Sequence, residues 1–290
     1  MRKLNENESD RMPMTVREAV QSAKKCLEEH QVPDYGIDAL LLLQSVCGID
    51  RARYYGHGDE ELPDAERYLE KVRLRANRIP LQQITGEQIF CGLRFRVTED
   101  VLCPRLETEI LVEEALKRLK PGDRFLDLCT GSGCIAVSIL CLRKDVSGCG
   151  SDLSPKALRI ASRNASLHKT EDRLELKEGD LFDAVSGSYD MIVSNPPYIA
   201  SGQIETLMTE VRDHEPRMAL DGGEDGLHFY RRILRDAGDH LKEKGWLLVE
   251  IGYDQAQQVR SMFDDNRYES VRVIKDMAGL DRVVLGQRGA

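Results

Sequence analysis

The chain of 290 residues contains no C-x-x-C pair, no H-x-H, no H-E-x-x-H and a single tryptophan. Its eight cysteines (Cys26, Cys47, Cys91, Cys103, Cys129, Cys134, Cys141 and Cys149) are too far apart for a close-spaced zinc cluster, and no metal is expected. A chain of this length fills a core without disulfide staples, so reduced thiols in a cytoplasmic protein are expected. The longest apolar run, Ala39 to Leu43, is far below the ~20 residues that span a bilayer. The opening MRKLNENESDR has no apolar core for a secretory signal. An excess of positive charge is missing too: 41 Lys and Arg face 50 Asp and Glu, a net charge of −9. Such a balance has no general attraction for phosphate backbones or anionic lipid, so neither nucleic acid nor membrane is an expected partner. What remains is globular composition, 41% hydrophobic and 31% charged, with length for one or two domains.

From residue 15 to about 80 the apolar spacing is helical. Thr15-Val-Arg-Glu18 has the pattern of a capping box, and Val16, Ala19, Val20, Ala23 and Leu27 follow on one face. Leu40 to Leu43 lie in a second helix over 37–47, closed by Gly48. Pro63 opens a third, running to about Arg78 ahead of Pro80. Its basic run, Arg67, Lys71, Arg73, Arg75 and Arg78, is interleaved by Glu66 and Glu70 and reads as a solvated helix face. From Gln88, Ile-Phe-Cys-Gly-Leu-Arg-Phe-Arg-Val alternates as a β-hairpin, and a helix is expected over 107–119. Strands at Arg124–Leu128, Ser147–Asp152, Leu174–Lys177, Met191–Ser194 and Trp246–Ile251 then alternate with helices at 133–143, 154–168, 226–242 and 254–264. A strand pair, Glu269–Ile274 and Arg282–Leu285, ends the chain. This alternation predicts an α/β fold with a mostly parallel sheet that binds ligands at the carboxyl ends of its strands. The boundary falls at a helical domain over 1–85 and an α/β domain over 86–290, with a hairpin linker at about 86–103.

Asp127-Leu-Cys-Thr-Gly-Ser-Gly133 runs from a strand into a glycine-rich turn at a helix start. Gly131 and Gly133 let the backbone approach a ligand where a Cβ would collide. Asp152 ends the next strand, 19 residues past Gly133, where a carboxylate can accept both hydroxyls of an adenosine ribose. With Ala136 the same glycines match G-x-G-x-x-A, which leaves a nicotinamide-dependent oxidoreductase and a plain tight turn open. Ser194-Asn195-Pro196-Pro197-Tyr198 follows a hydrophobic strand directly. Two prolines without N–H groups leave their carbonyls as acceptors on a stiff backbone, Asn adds another acceptor, and Tyr adds a flat face. That set suits a planar, uncharged group carrying an NH₂.

N-P-P-Y resembles the signature of S-adenosylmethionine-dependent methyltransferases that act on nitrogen conjugated to a planar group. Within that set the chain is similar to the release factor glutamine methyltransferases, the PrmC/HemK family. The likeness runs from Arg78-Ile-Pro-Leu-Gln-Gln-Ile-Thr-Gly86 through Pro104-Arg-Leu-Glu-Thr-Glu109, the 127–133 turn, Asp152-Leu-Ser and Ser194–Ile199. It continues with Glu215-Pro-Arg217, Leu220-Asp-Gly-Gly223, Asp225-Gly-Leu227, Glu250-Ile-Gly252, Lys275-Asp276 and Asp281-Arg-Val-Val284. The resemblance implies a Rossmann-like class I methyltransferase sheet with an antiparallel terminal strand, behind an all-helical substrate-recognition domain. It implies methyl transfer to the side-chain amide nitrogen of the glutamine in the Gly-Gly-Gln motif of peptide chain release factors. The chain is then expected to be a cytoplasmic monomer.

For the cofactor, S-adenosylmethionine, the resemblance places Cys129, Thr130, Gly131, Ser132 and Gly133 along the methionine part, Asp152 at the ribose, and Asp180 and Leu181 beside the adenine. Asn195 and Arg105 adjoin the same pocket, as do Glu107 and Thr108, although Arg105 is equally compatible with a surface ion pair. For the substrate, the Asn195 side-chain oxygen and the Pro196 carbonyl accept the two amide hydrogens. Tyr198 holds the amide plane, and Pro197 completes the binding turn. Asn195, Pro196 and Tyr198 are thus the catalytic candidates; Glu250 and Asp276 are left outside as structural. Cys129 stands where the family pattern has the first glycine, tolerable at a negative φ. Gln83 and Leu106 replace the usual Tyr and Pro. The alternatives are a ribosomal-protein glutamine methyltransferase, an N6-adenine methyltransferase of DNA or RNA, against which the charge of −9 argues, and a binding-only protein that has kept the fold.

Overall fold

The computed structural model of the chain describes residues 14–289, and its first helix opens on the capping box. The MRKLNENESDR segment, and with it the reading about a secretory signal, lies outside the described residues. The Thr15 hydroxyl accepts the Glu18 N–H, and the Glu18 carboxylate accepts the Thr15 N–H at 2.9 Å, opening α1 (Val16–Glu29). Helix α2 (Tyr35–Cys47) ends on a left-handed Gly48, and α4 (Ala65–Ala76) stops before Arg78, where the backbone turns to φ 65° ahead of Pro80. The short helices α3 (Arg51–Gly56) and α5 (Leu81–Thr85) carry too few turns to show a periodic pattern.

The basic run on α4 is not one solvated face. Arg75 shares the inner face with Tyr68 and Val72, as a 3.6-residue period requires, and its Nε lies 2.6 Å from Asp38 Oδ2 on α2. Those two side chains are only 7% and 8% exposed. A charge at that position reads as surface in one dimension because its buried partner is 37 residues away.

The chain divides into two compact units, residues 1–85 and 86–290. The second opens with the hairpin β1 (Glu87–Phe90) and β2 (Leu93–Arg96). Phe90 and Phe95 are fully buried in the unit's core, and the Arg96 N–H donates to Asn164 Oδ1 at 2.7 Å, so the hairpin belongs to the body of this unit. A 3-10 turn at Leu106–Thr108 precedes α6 (Glu109–Leu116). Then follow β3 (Arg124–Leu128), α7 (Cys134–Leu142), β4 (Ser147–Asp152), α8 (Pro155–Leu167), β5 (Leu174–Glu178) and β6 (Tyr189–Ser194). The rest is α9 (Thr209–His214), α10 (His228–His240), β7 (Leu241–Glu250), α11 (Ala256–Asp265), β8 (Tyr268–Lys275) and β9 (Asp281–Arg288). Strand β7 starts well before the apolar run at Trp246, since Lys242, Glu243 and Lys244 are exposed and carry no hydrophobic signal.

The sheet has seven strands in the order β5-β4-β3-β6-β7-β9-β8. Strands β3 to β7 run parallel, and β9 is antiparallel to both its neighbours. This is the Rossmann-like sheet with an antiparallel terminal strand that the sequence predicts. Two buried clusters cover the sheet, one with α10 and α11 and the other with α6, α7 and the hairpin. Parallel strands place Leu128, Asp152, Ser194 and Glu250 at the same edge, where an α/β sheet binds ligands.

Candidate active site

A cavity of about 260 Å³ opens at those strand ends. Arg105, Cys129, Thr130, Gly131, Ser132, Asp152, Asp180, Leu181, Asn195 and Pro197 line it. Gly133, Pro196 and Tyr198 are not among its lining residues. Gly133 caps α7 at φ 77°, where a Cβ would stand 3.1 Å from the Ala161 Cβ, so glycine there allows both the left-handed turn and the approach of α8. At Gly131, φ 55°, a Cβ would meet the Cys129 carbonyl at 3.9 Å, an ordinary contact. Cys129 corrects an expectation: its φ is 58°, not negative. The Thr130 N–H donates to the Ser151 carbonyl at 3.0 Å and pins the chain as it leaves β3, so Cys129 bears the left-handed strain that a glycine would avoid.

Asp152 is held from both sides. Its Oδ2 accepts the Gly131 N–H and its Oδ1 the Ser154 N–H, each at 2.8 Å. The carboxylate thus ties the glycine turn to the end of β4 and keeps lone pairs for further donors; burial raises its pKa in spite of these bonds. Asp180 is ion-paired with Arg232 at 2.9 Å. Asp127 is a further polar group that the sequence reading placed in the turn but not in the site. It is fully buried, its Oδ2 accepts the Thr130 hydroxyl at 2.7 Å, and its Oδ1 has no partner among the described residues. Burial pushes its carboxyl up to about 7. An aspartate inside an apolar strand is the signal that could have marked it.

Arg105 does form an ion pair, but with a buried partner and not at the surface. It lines the cavity, and its Nη2 lies 2.5 Å from Oε2 of the buried Glu215, whose Oε1 accepts the Cys103 N–H at 3.3 Å. This ion pair joins the 100–105 and 215–221 segments, which both contribute to the cavity wall.

At the end of β6 the Ser194 hydroxyl donates to the Leu128 carbonyl at 2.8 Å, and Asn195 Nδ2 donates to Thr108 Oγ1 at 3.2 Å. The following backbone is clasped. Ile199 exchanges hydrogen bonds with Leu220 and Gly222, and Gln255 Nε2 donates to the Tyr198 carbonyl at 2.9 Å. Gly226, at φ 74°, packs so closely that a Cβ would collide with that same carbonyl. Gly226→Ala is therefore expected to shift the Asn195–Tyr198 turn and lower kcat about tenfold or more, measured at saturating cofactor and substrate. The Tyr198 side faces a second cavity of about 340 Å³, shared with Gln203, Gln255 and Arg282. Burial raises the Tyr198 phenol well above its ordinary range. The N-P-P-Y turn thus stands between two cavities, with Asn195 and Pro197 on the first and Tyr198 on the second.

The relatives of the chain cover it nearly end to end. It is 42% identical over 278 residues to the release factor glutamine methyltransferase of Geobacter sulfurreducens, spanning 95% of this chain and 97% of that one. To the protein of the same name from Cereibacter sphaeroides it is 43% identical over 273 residues, 93% and 98% of the two chains. This chain belongs to the release factor glutamine methyltransferase family. Within the family likeness, residues 18–86 match the PrmC N-terminal domain and residues 106–224 the methyltransferase small domain. A solved methyltransferase from Pyrococcus furiosus shares the fold at 18% identity, with a TM-score of 0.53 over 69% of this chain and 90% of that one.

Membership settles the cofactor among the readings of the glycine turn: the methyl donor is S-adenosylmethionine, not a nicotinamide dinucleotide. The residues present fit that donor. The cavity wall carries Gly131, Asp180 and Leu181 together with the Asp152 carboxylate, whose remaining lone pairs can take hydroxyl donors. Among the described residues, no helix is long and apolar enough to cross a membrane.

Proposed function

We propose that this methyltransferase acts on the side-chain amide nitrogen (N5) of the glutamine in the Gly-Gly-Gln motif of class I peptide chain release factors of the bacterial type. The observation that carries the reading is Asn195: it lines the cofactor cavity while its own N–H is given to Thr108, which leaves the Oδ1 acceptor for a substrate amide. The names of the relatives support the protein substrate. The helical unit matched to the PrmC N-terminal domain serves to dock the release factor. The enzyme works as a cytoplasmic monomer without binding nucleic acid, in keeping with its acidic balance.

A carboxamide nitrogen is a poor nucleophile because its lone pair is delocalised into the carbonyl. S-adenosylmethionine supplies, when bound, an electrophilic methyl on a positively charged sulfur. Asn195 Oδ1 and the Pro196 carbonyl accept the two amide hydrogens and orient the nitrogen. Both acceptors strengthen as positive charge grows on that nitrogen, which favours the transition state over the ground state. Pro197 stiffens the turn, and Tyr198 closes its far side toward the second cavity. No strong base is required, because an alkylated amide is acidic enough to lose its proton to water afterwards.

The test is incubation with labelled S-adenosylmethionine and, in separate reactions, a class I release factor, a ribosomal protein, duplex DNA and tRNA. Label on one glutamine of the release factor is the expected result. Label confined to nucleic acid overturns the reading in favour of an adenine substrate, and label confined to the ribosomal protein overturns the choice of protein.

A further inference from the structure

Asn164 has no part in that mechanism, lines neither cavity and is fully buried on α8. Its amide has two N–H donors and a carbonyl acceptor, and all are engaged. Oδ1 accepts the Arg96 N–H at 2.7 Å, and Nδ2 donates to the Arg96 carbonyl at 3.0 Å. One side chain thus takes both backbone groups of the last residue of β2, as a neighbouring strand would. That pairing fixes which way round the amide sits, since an inverted amide would set N–H against N–H. The second Nδ2 proton is then committed to the Ser132 carbonyl, at 2.8 Å. Ser132 belongs to the glycine turn on the cofactor cavity. The peptide after it is held at its other end too, where the Gly133 N–H donates to the Thr130 carbonyl at 2.8 Å. Val97 and Val101, which follow β2, pack with Ala157 and Ile160 of α8, and the 100–105 segment forms another wall of the cavity.

We propose that Asn164 is a positioning residue for S-adenosylmethionine. It fastens the Ser132–Gly133 peptide to β2, so that the glycine turn and the 100–105 wall meet the cofactor already in register. A peptide bonded at both its C=O and its N–H cannot rotate without breaking a buried hydrogen bond. Without Asn164 the turn samples other orientations, and the cofactor's affinity falls by the fraction of chains that leave the competent one. The coupling also runs in reverse. If an ordered hairpin favours the cofactor, bound cofactor must favour the ordered hairpin by the same factor. His168, one turn further along the chain, supplies a comparison. Its Nε2 donates to the Arg94 carbonyl at 2.7 Å and its ring packs on Phe95, so it anchors β2 as well. Yet no hydrogen bond among the described residues joins its side chain to the glycine turn.

The experiment measures the calorimetric Kd of S-adenosylmethionine for the full chain, comparing wild type with Asn164→Ala, Asn164→Asp and His168→Ala. Aspartate offers the Arg96 N–H an oxygen but withdraws the amide N–H groups, among them the one given to Ser132. Both Asn164 variants are expected to raise the Kd about 5–30-fold. His168→Ala is expected to lower Tm but to leave the Kd within about twofold of wild type, because it touches the hairpin alone. Folded Asn164 variants with wild-type Kd overturn this role, as does a His168→Ala variant weakened as much as they are. Should neither Asn164 variant fold, hydrogen exchange of the wild-type chain decides. Cofactor at about 100 times its Kd is expected to slow the Arg96 amide at least about tenfold, and the amides of the edge strand β8 much less. An Arg96 amide slowed no more than those of β8 overturns the coupling. Neither measurement needs a methyl acceptor, so a wrong choice of release factor leaves both outcomes standing.

Discussion

Asn195→Ala is expected to lower kcat for methyl transfer by about 10²–10³-fold while changing the Kd of S-adenosylmethionine by less than about threefold. The side chain lines the cofactor cavity, but the glycine turn and Asp152 hold the cofactor from other strands. What alanine removes is an acceptor that matters most when charge develops on the amide nitrogen, so the loss belongs to kcat. Asn195→Asp separates two aspects of the role. It keeps an oxygen for the substrate but has no N–H to give Thr108. Its rate is expected to fall between alanine and wild type. Single-turnover rates with preformed cofactor complex, alongside calorimetric Kd values, check both variants. Full turnover in Asn195→Ala would show that the substrate amide is oriented by some other group.

Asp152→Ala has the opposite signature: a cofactor Kd raised by about 10²–10³-fold, with kcat at saturating cofactor much less affected. Two hydrogen bonds from ribose hydroxyls to a carboxylate contribute about 1.5–3 kcal/mol each, and removing both at the lower end accounts for the hundredfold. The upper end comes from the glycine turn, since Asp152 also receives the Gly131 and Ser154 N–H groups, which alanine leaves without that partner. Asp152→Asn is no rescue, because its NH₂ must face one donor or another. Affinity should also fall in acid. Burial raises the Asp152 pKa, and the ionised form is the one that accepts the ribose hydroxyls, so Kd rises as pH falls through that raised value. Calorimetry across the acid range measures it, and a flat profile down to pH ~4, near the ordinary aspartate pKa, would contradict the ribose assignment.

Features with a local cause were legible in one dimension. The capping box needs only Thr15 and Glu18, and the glycines of the turn after β3 stand together in sequence where the strand gives way to a helix. The alternation of apolar strands with helical segments yields the parallel sheet because connection rules leave few other arrangements. N-P-P-Y carries its chemistry in consecutive residues, so the acceptors for a planar amide could be named without coordinates. Where hydrophobicity is weak or an element is short, as in the charged first half of β7 and in α3, α5 and α9, that reading had nothing to hold.

Partnership across the chain is another matter. Asp38 and Arg75, Arg105 and Glu215, and Thr108 and Asn195 are each separated by dozens of residues and meet only in the folded chain. Gly133 illustrates the same limit: its spacing marks it as a glycine of the turn, but only the position of Ala161 shows that α8 packs against it. Cys129 does so for the backbone, since its left-handed φ is set by a hydrogen bond to β4. Residue types and local spacing therefore determined the fold class, the cofactor turn and the N-P-P-Y acceptors. The tertiary structure decided which buried charges are paired, which face of N-P-P-Y each side chain takes, and how the Asn195 amide is aimed. Those are matters of desolvation and hydrogen-bond direction, and both depend on neighbours that the linear order does not place side by side.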